Sequence, residues 1–94
     1  MYKLIVPRSV ENDLKKLPSQ LQRKIASKHL PAIQANPDQG KFLQKQFRKL
    51  RKYRLSYLGT EYRIVYKVSE SVKLITIIMI GSRENFYERL KQRL

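Results

Sequence analysis

The spacing of apolar residues along the chain changes period several times, and each change predicts an element. Tyr2-Lys3-Leu4-Ile5-Val6 is short, partly alternating and β-rich, and it stops at Pro7, which cannot continue a central strand. From Arg8 to Leu17, Val10, Leu14 and Leu17 fall at i, i+4 and i+7, one face of a helix. Ser9 is a candidate cap, and Glu11 and Asp13 stand in the first turn, where the helix dipole favours acids. Ser19 to Ala35 repeats the pattern with Leu21, Ile25, Ala32 and Ile33. Ser19 with Gln22 resembles a capping box, and Pro31 is expected to kink or break the helix near its end. Asn36-Pro37-Asp38-Gln39-Gly40 has the composition of a loop.

The second half reads differently. Tyr53, Leu55 and Tyr57 alternate with Arg54 and Ser56. After a turn at Leu58–Glu61, Tyr62, Ile64, Tyr66 and Val68 alternate against Arg63, Val65 and Lys67. This predicts a β-hairpin whose two faces differ in character. Val72 to Ile80 is nearly continuous in apolar residues, as in a strand covered on both faces, and Gly81 stops it. Phe86, Leu90 and Leu94 then share one face of a last helix, for which Ser82 is the expected cap. The order β-α-α-β-β-β-α defines an α+β fold: a small antiparallel sheet with an N-terminal helical hairpin and a C-terminal helix, the helices expected on one face. With 94 residues, the chain reads as one domain spanning 1–94.

Composition narrows the function. Twenty-one Lys and Arg against seven Asp and Glu give a formal net charge of +14. That excess points to a polyanionic partner: nucleic acid first, with an acidic protein or an anionic membrane surface as alternatives. Seven of the cations crowd into Lys41–Arg54, where Phe42, Phe47 and Leu50 interleave and anchor the segment to a core. Lys45, Arg48, Lys49, Arg51 and Lys52 are its candidate phosphate-binding residues, the alternative being a solvated edge. There is no cysteine and a single histidine, His29, so thiolate chemistry is excluded and a His-based triad or zinc site would rest on one residue. The acids are scattered, a poor basis for a two-metal site. Neither a secretory signal nor a membrane span is expected, and the absence of cysteine fits a reducing cytoplasm.

What remains is a constellation of Arg54, Arg63, Arg83 and Tyr87. Arg54 and Arg63 lie on neighbouring strands, Arg83 follows the next strand, and Tyr87 is one helical turn further. With those strands adjacent, the four converge at one end of the sheet, where permanently charged guanidiniums can hold a phosphate. Three of them have a bland alternative: Arg63 pairing with Glu61 or Glu70, Arg83 with Glu84 or Glu88, and Tyr87 as a packing residue.

The chain resembles the RelE/ParE superfamily of toxins from bacterial type II toxin–antitoxin modules. The resemblance covers nearly the full length. It is carried by Glu61-Tyr62-Arg63-Ile64-Val65-Tyr66-Lys67-Val68, by Ile80-Gly81-Ser82-Arg83-Glu84-Asn85-Phe86-Tyr87, and by Leu50-Arg51-Lys52-Tyr53-Arg54-Leu55. For the RelE branch it implies a cytoplasmic, ribosome-dependent mRNA endonuclease that needs neither metal nor cofactor. The 2′-hydroxyl would attack the adjacent phosphate. Arg63 would hold that phosphate, Arg83 would neutralise the leaving 5′-oxygen, Tyr87 would orient the nucleotide, and Arg54 would add positive charge. Where such enzymes carry a second lysine proposed as general base, this chain has Ser56, leaving the role to Lys52 or Tyr87, or the 2′-hydroxyl to be activated mainly by positioning and charge. The resemblance also implies an acidic antitoxin as partner, beside ribosome and mRNA. ParE-type relatives instead bind DNA gyrase without nuclease activity, and a nucleic-acid binder whose activity has decayed is a third alternative.

Overall fold

A computed structural model describes residues 1–94. The first strand, β1 (Lys3–Ile5), leads into α1 (Arg8–Lys15) and then α2 (Ser19–Lys24). A π-helical turn (Ile25–His29) and α3 (Leu30–Ala35) continue α2 without a break. Pro31 therefore does not end the helix, because the wider π turn before it absorbs the ring and the missing N–H. Neither expected cap forms at the first two helices: Pro7 and Pro18 occupy the N-cap positions, and Gln22 instead donates its amide N–H to the Leu17 carbonyl. A short β2 (Lys41–Phe42), a 3-10 turn (Lys45–Phe47), β3 (Arg51–Tyr57), β4 (Thr60–Ser69), β5 (Leu74–Ser82) and α4 (Phe86–Arg93) complete the chain.

The α+β class and the order of the main elements are as expected, with β2 added. The five strands form one sheet in the order β1-β5-β4-β3-β2. Pairing is antiparallel except for β1, which runs parallel to β5. The helical hairpin between β1 and the meander supplies the crossover that a parallel neighbour requires.

The helices do not share one face, contrary to expectation. α1, α2 and α3 cover one side through Val10, Leu21, Ile25, Leu30 and Ile33, packed on Leu55, Ile64, Tyr66, Ile75, Ile77 and Ile80. α4 covers the other side, where Phe86 and Leu90 pack on Val65, Met79, Leu43 and Leu50. A bulge in the β4–β5 ladder makes this possible. Val65 pairs with Met79 but Tyr66 pairs with Ile77, so Ile78 is an extra residue in β5. Ile75 and Ile77 face the hairpin, the bulge shifts the alternation by one, and Met79 faces α4. An unbroken apolar run is what a strand covered on both faces needs.

Two contacts, one buried and one half-buried, fix what surrounds the site. Tyr66 donates its hydroxyl to the Pro37 carbonyl at 2.6 Å and accepts the Gly40 N–H at 3.1 Å. A Cβ at residue 40 would collide with that hydroxyl, which is why a glycine stands there. On the other side Arg93 donates both terminal nitrogens to the Asp13 carboxylate, at 3.1 and 2.8 Å, and Asp13 also accepts the Ile80 N–H at 3.1 Å. That triple contact ties α1, β5 and the end of α4 together.

Candidate functional site

Strand alternation decides which side chains meet. Tyr53, Leu55 and Tyr57 face the helical hairpin, so Lys52, Arg54 and Ser56 face the α4 side. By the same alternation Glu61, Arg63 and Val65 of β4 face α4. Arg54 stands directly across from Arg63 in the β3–β4 ladder, and Arg63 across from Gly81 in β5. Cross-strand neighbours of this kind lie about 5 Å apart at Cα. Like charges there are destabilising unless an anion sits between them.

β5 runs through Ser82, so Ser82 does not cap a helix; α4 begins at Phe86, after a tight turn that ends on Asn85 in the left-handed region (φ 51°). That turn bends the chain back over the sheet and puts Tyr87 in the first turn of α4. Arg89 holds it closed by donating to the carbonyls of Ser82 and Glu84, at 2.9 and 3.1 Å. Its guanidinium lies where a side chain at Gly81 would project.

The predicted residues do converge. The Arg63 guanidinium lies 5.5 Å from the centre of the Tyr87 ring and 5.8 Å from that of Phe86, within cation–π range. The Arg83 backbone N–H donates to the Glu61 carbonyl at 3.2 Å, pinning the start of the turn to β4. The Lys52 ammonium donates to the Tyr87 hydroxyl at 3.3 Å. Arg54 and Arg83 are exposed and make no ion pair.

Arg63 is already engaged. Its Nε donates to Glu61 Oε2 at 2.8 Å, one of the bland alternatives foreseen from the sequence. That hydrogen bond holds the Glu61 carboxyl below its ordinary range; partial burial opposes it, and the charges of Arg63, Arg54 and Arg83 reinforce it. The Glu61 carboxylate thus feels the charge of three guanidiniums, of which Arg63 alone is hydrogen-bonded to it.

The basic run Lys41–Arg54 divides. Arg51 is turned inward: it donates to the carbonyls of Asp38 (3.2 Å) and Gly40 (2.8 Å), pairs with the Asp38 carboxylate (3.4 Å) and stacks on Phe42. It organises the loop before β2 and is not among the free cations. Lys45 and Lys52 line a cleft of about 380 Å³ beside Tyr87. Arg48 and Lys49 lie apart, with Lys67 and Leu94, around a second hollow of about 450 Å³. A cavity of about 620 Å³ is lined by α1, β5 and α4, and the paired Asp13 and Arg93 are among its lining residues. No three side chains of the metal-binding types gather anywhere, and no helix is long and apolar enough to cross a membrane.

The family model for ParE-like toxins of type II bacterial toxin–antitoxin systems matches residues 4–91. The chain belongs to that family. Among solved structures, the toxin–antitoxin complex RelBE2 of Mycobacterium tuberculosis is similar with a TM-score of 0.73 at 20% identity, over 87% of this chain and 98% of that one. An arginine-to-alanine double mutant of Escherichia coli toxin RelE in the free state is similar at 0.72 and 22%, over 99% and 98%. The archaeal RelE–RelB complex of Pyrococcus horikoshii OT3 follows at 0.61 and 23%, over 87% and 94%. At these identities the likeness is one of fold. No curated protein matches the sequence.

Phe47 and Arg89 are features of the site that the sequence does not assign to it. Lys52, a candidate phosphate-binding residue and candidate base from the sequence, stands two residues from Arg54 on the same strand face and meets Tyr87. Phe47 and Arg89 act through the turns before β3 and α4, whose geometry leaves no period in the sequence.

Proposed function

We propose that this toxin is an endoribonuclease that cuts ribosome-bound mRNA by in-line attack of a ribose 2′-hydroxyl on the adjacent phosphate. The observation that carries the reading is the gathering of Lys52, Arg54, Arg63, Arg83 and Tyr87 at the end of the sheet where β5 turns into α4. The phosphate displaces Glu61 and lies between Arg54 and Arg63, whose charges stabilise the extra negative charge of the pentavalent transition state. The 2′-oxygen bonds to phosphorus and gives its proton to water, with the hydrogen-bonded Lys52–Tyr87 pair orienting the hydroxyl and adding positive charge beside it. The bond from phosphorus to the 5′-oxygen breaks, and that oxygen, beside Arg83, takes a proton from water. A 2′,3′-cyclic phosphate and a 5′-hydroxyl result. Only one carboxylate stands in the site, so its own residues stabilise charge through cations rather than through a carboxylate-held ion.

The site is shallow and open, and much of the positioning of the RNA is left to its surroundings. A ribosome holding mRNA in line supplies that orientation. The antitoxin of such a system is an acidic protein that covers the basic surface.

Primer extension on mRNA, with and without translating ribosomes, tests the reading. Cuts that require ribosomes and vanish in Arg63→Ala and Arg83→Ala establish it. Losing one such stabilising group is expected to cost about 10² to 10³ in rate. The second reading, inhibition of DNA gyrase by binding, is favoured by the engagement of Arg63 with Glu61 in the free protein. A supercoiling assay that is blocked by a protein making no cuts would establish that one instead.

A further inference from the structure

The cleft beside Tyr87 has a composition unlike the rest of the basic surface. Its walls are aromatic: Phe42, Phe47 and Tyr87. Phe47 and Tyr87 are nearly parallel (26°) with centroids 6.3 Å apart. Phe42 is exposed, at 59%, and is backed by the Arg51 guanidinium 3.9 Å from its ring centre. A large exposed phenylalanine held in place from behind is costly to leave in water, and it offers a flat face to a ligand.

Apart from Leu43, the remaining lining is polar: Gln44, Lys45, Gln46 and Lys52. Gln44 and Gln46 are exposed and line the cleft, and Lys52 lines it on the side of Arg54, two residues along β3. Between the two glutamines, Lys45 adopts a left-handed backbone (φ 56°), a conformation that costs a lysine energy and that turns the segment around the cleft. Aromatic faces with amides at the edge suit an unpaired nucleobase: the rings stack on it, and an amide pairs with the donor and acceptor on its edge. The volume, about 380 Å³, is within the range of small-ligand sites.

Position connects the cleft to the chemistry. Tyr87 is a wall of the cleft, and it also lies against Arg63 and accepts from Lys52. A nucleotide whose phosphate lies among Arg54, Arg63 and Arg83 therefore brings a neighbouring base to the other side of Tyr87. We propose that this cleft is a nucleobase pocket for a purine adjoining the scissile phosphate, with Phe42 and Phe47 as stacking residues and Gln44 and Gln46 as the residues that select it. Adenine fits a glutamine amide best, through its amino group and N7. The inference rests on the nuclease reading for the nature of the polymer, and it assigns the sequence preference of cleavage to the turn after β2.

A trinucleotide with 2-aminopurine beside a 2′-deoxy linkage cannot be cut and reports stacking by loss of fluorescence. Titration with the wild-type protein is expected to quench it. Phe42→Ala, in which only an exposed ring is removed, and Phe47→Ala are each expected to weaken binding about tenfold, the loss typical of one stacking partner. Gln44→Ala and Gln46→Ala are expected to reduce the preference for purine over pyrimidine probes. Wild-type binding without quenching, or Phe42→Ala and Gln46→Ala titrating as wild type, overturns the pocket. Cleavage mapping on ribosomes separates the two ideas. Quenching by a protein that cuts no RNA keeps the pocket and removes the nuclease, whereas cleavage without quenching removes the pocket alone.

Discussion

Glu61 and Arg63 stand two residues apart on one face of β4, and the Arg63 Nε donates to the Glu61 carboxylate at 2.8 Å. The guanidinium that the nuclease reading assigns to the scissile phosphate is therefore occupied by an internal anion, and on that reading binding exchanges one anion for another. Glu61→Gln is expected to tighten binding of a short uncleavable RNA about two- to fivefold, the range of a partly exposed ion pair. Filter binding at several salt concentrations measures it; unchanged or weaker binding would show instead that Glu61 positions Arg63 usefully.

The same pair makes a pH prediction. The folded Glu61 carboxyl titrates below its ordinary value because of the Arg63 hydrogen bond and the nearby arginine charges. A group with a lowered folded pKa stabilises the fold above its unfolded pKa, and that contribution is lost as pH falls through the folded value. A carbon-13 NMR titration should place the Glu61 carboxyl below its ordinary value, and Arg63→Ala should return it toward that value.

Burial of His29 acts on the other face. Its Nδ1 lies 2.8 Å from the Tyr53 hydroxyl, and burial first, then Lys28 and Lys24, pushes its pKa below the ordinary value. Below about pH 6.5 the unfolded chain takes up a proton that the folded chain refuses. Stability should fall from there as pH drops to the folded value, then level off. Thermal melts of wild type and His29→Gln across that range check it, the variant showing the smaller pH dependence.

Asp13 accepts three hydrogen bonds that join α1, β5 and α4. Asp13→Asn keeps the size and loses the charge, and it is expected to cost about 1–3 kcal/mol. Because Tyr87 rides on α4, hydrogen exchange over Phe86–Arg93 should rise before that of β4. Equal acceleration everywhere would mean that α4 is not the element this residue secures.

Leu58 is a surface position where the chain works against its own stereochemistry. It is 87% exposed and left-handed (φ 50°), preceding Gly59 (φ 81°) in the two-residue turn between β3 and β4. Such turns favour asparagine followed by glycine. Leu58→Asn is expected to stabilise the fold by about 1 kcal/mol without touching the site, read as a higher midpoint in urea.

Much of this was legible in the chain. Alternation at Tyr53–Tyr57 and Tyr62–Val68 marks the hairpin and puts Arg54 and Arg63 on neighbouring strands; their direct pairing comes from the two-residue turn at Leu58–Gly59. Val10 and Leu21 are buried as their helical spacing required. The illegible parts depend on contacts far apart in sequence. Nothing local in Lys3–Ile5 distinguishes a parallel from an antiparallel edge strand. Phe86 and Leu90 announce an apolar helix face but not which side of the sheet it covers, and Leu94, on the same stripe, remains 64% exposed. Arg51 reads as one more cation of the basic run, yet Asp38 and the Gly40 carbonyl claim it.

The extra residue at Ile78 gives β5 something like a reading frame. Every side chain from Met79 to Ser82 is assigned to its side of the sheet by one uncounted position upstream. Deleting a single residue there would leave composition and hydrophobicity almost unchanged. It would nevertheless invert the last third of the strand, burying what now faces the cations and carrying the turn to Arg83 and Tyr87 to the opposite side. Tolerance to substitution and intolerance to length change should therefore coincide in this stretch of the chain.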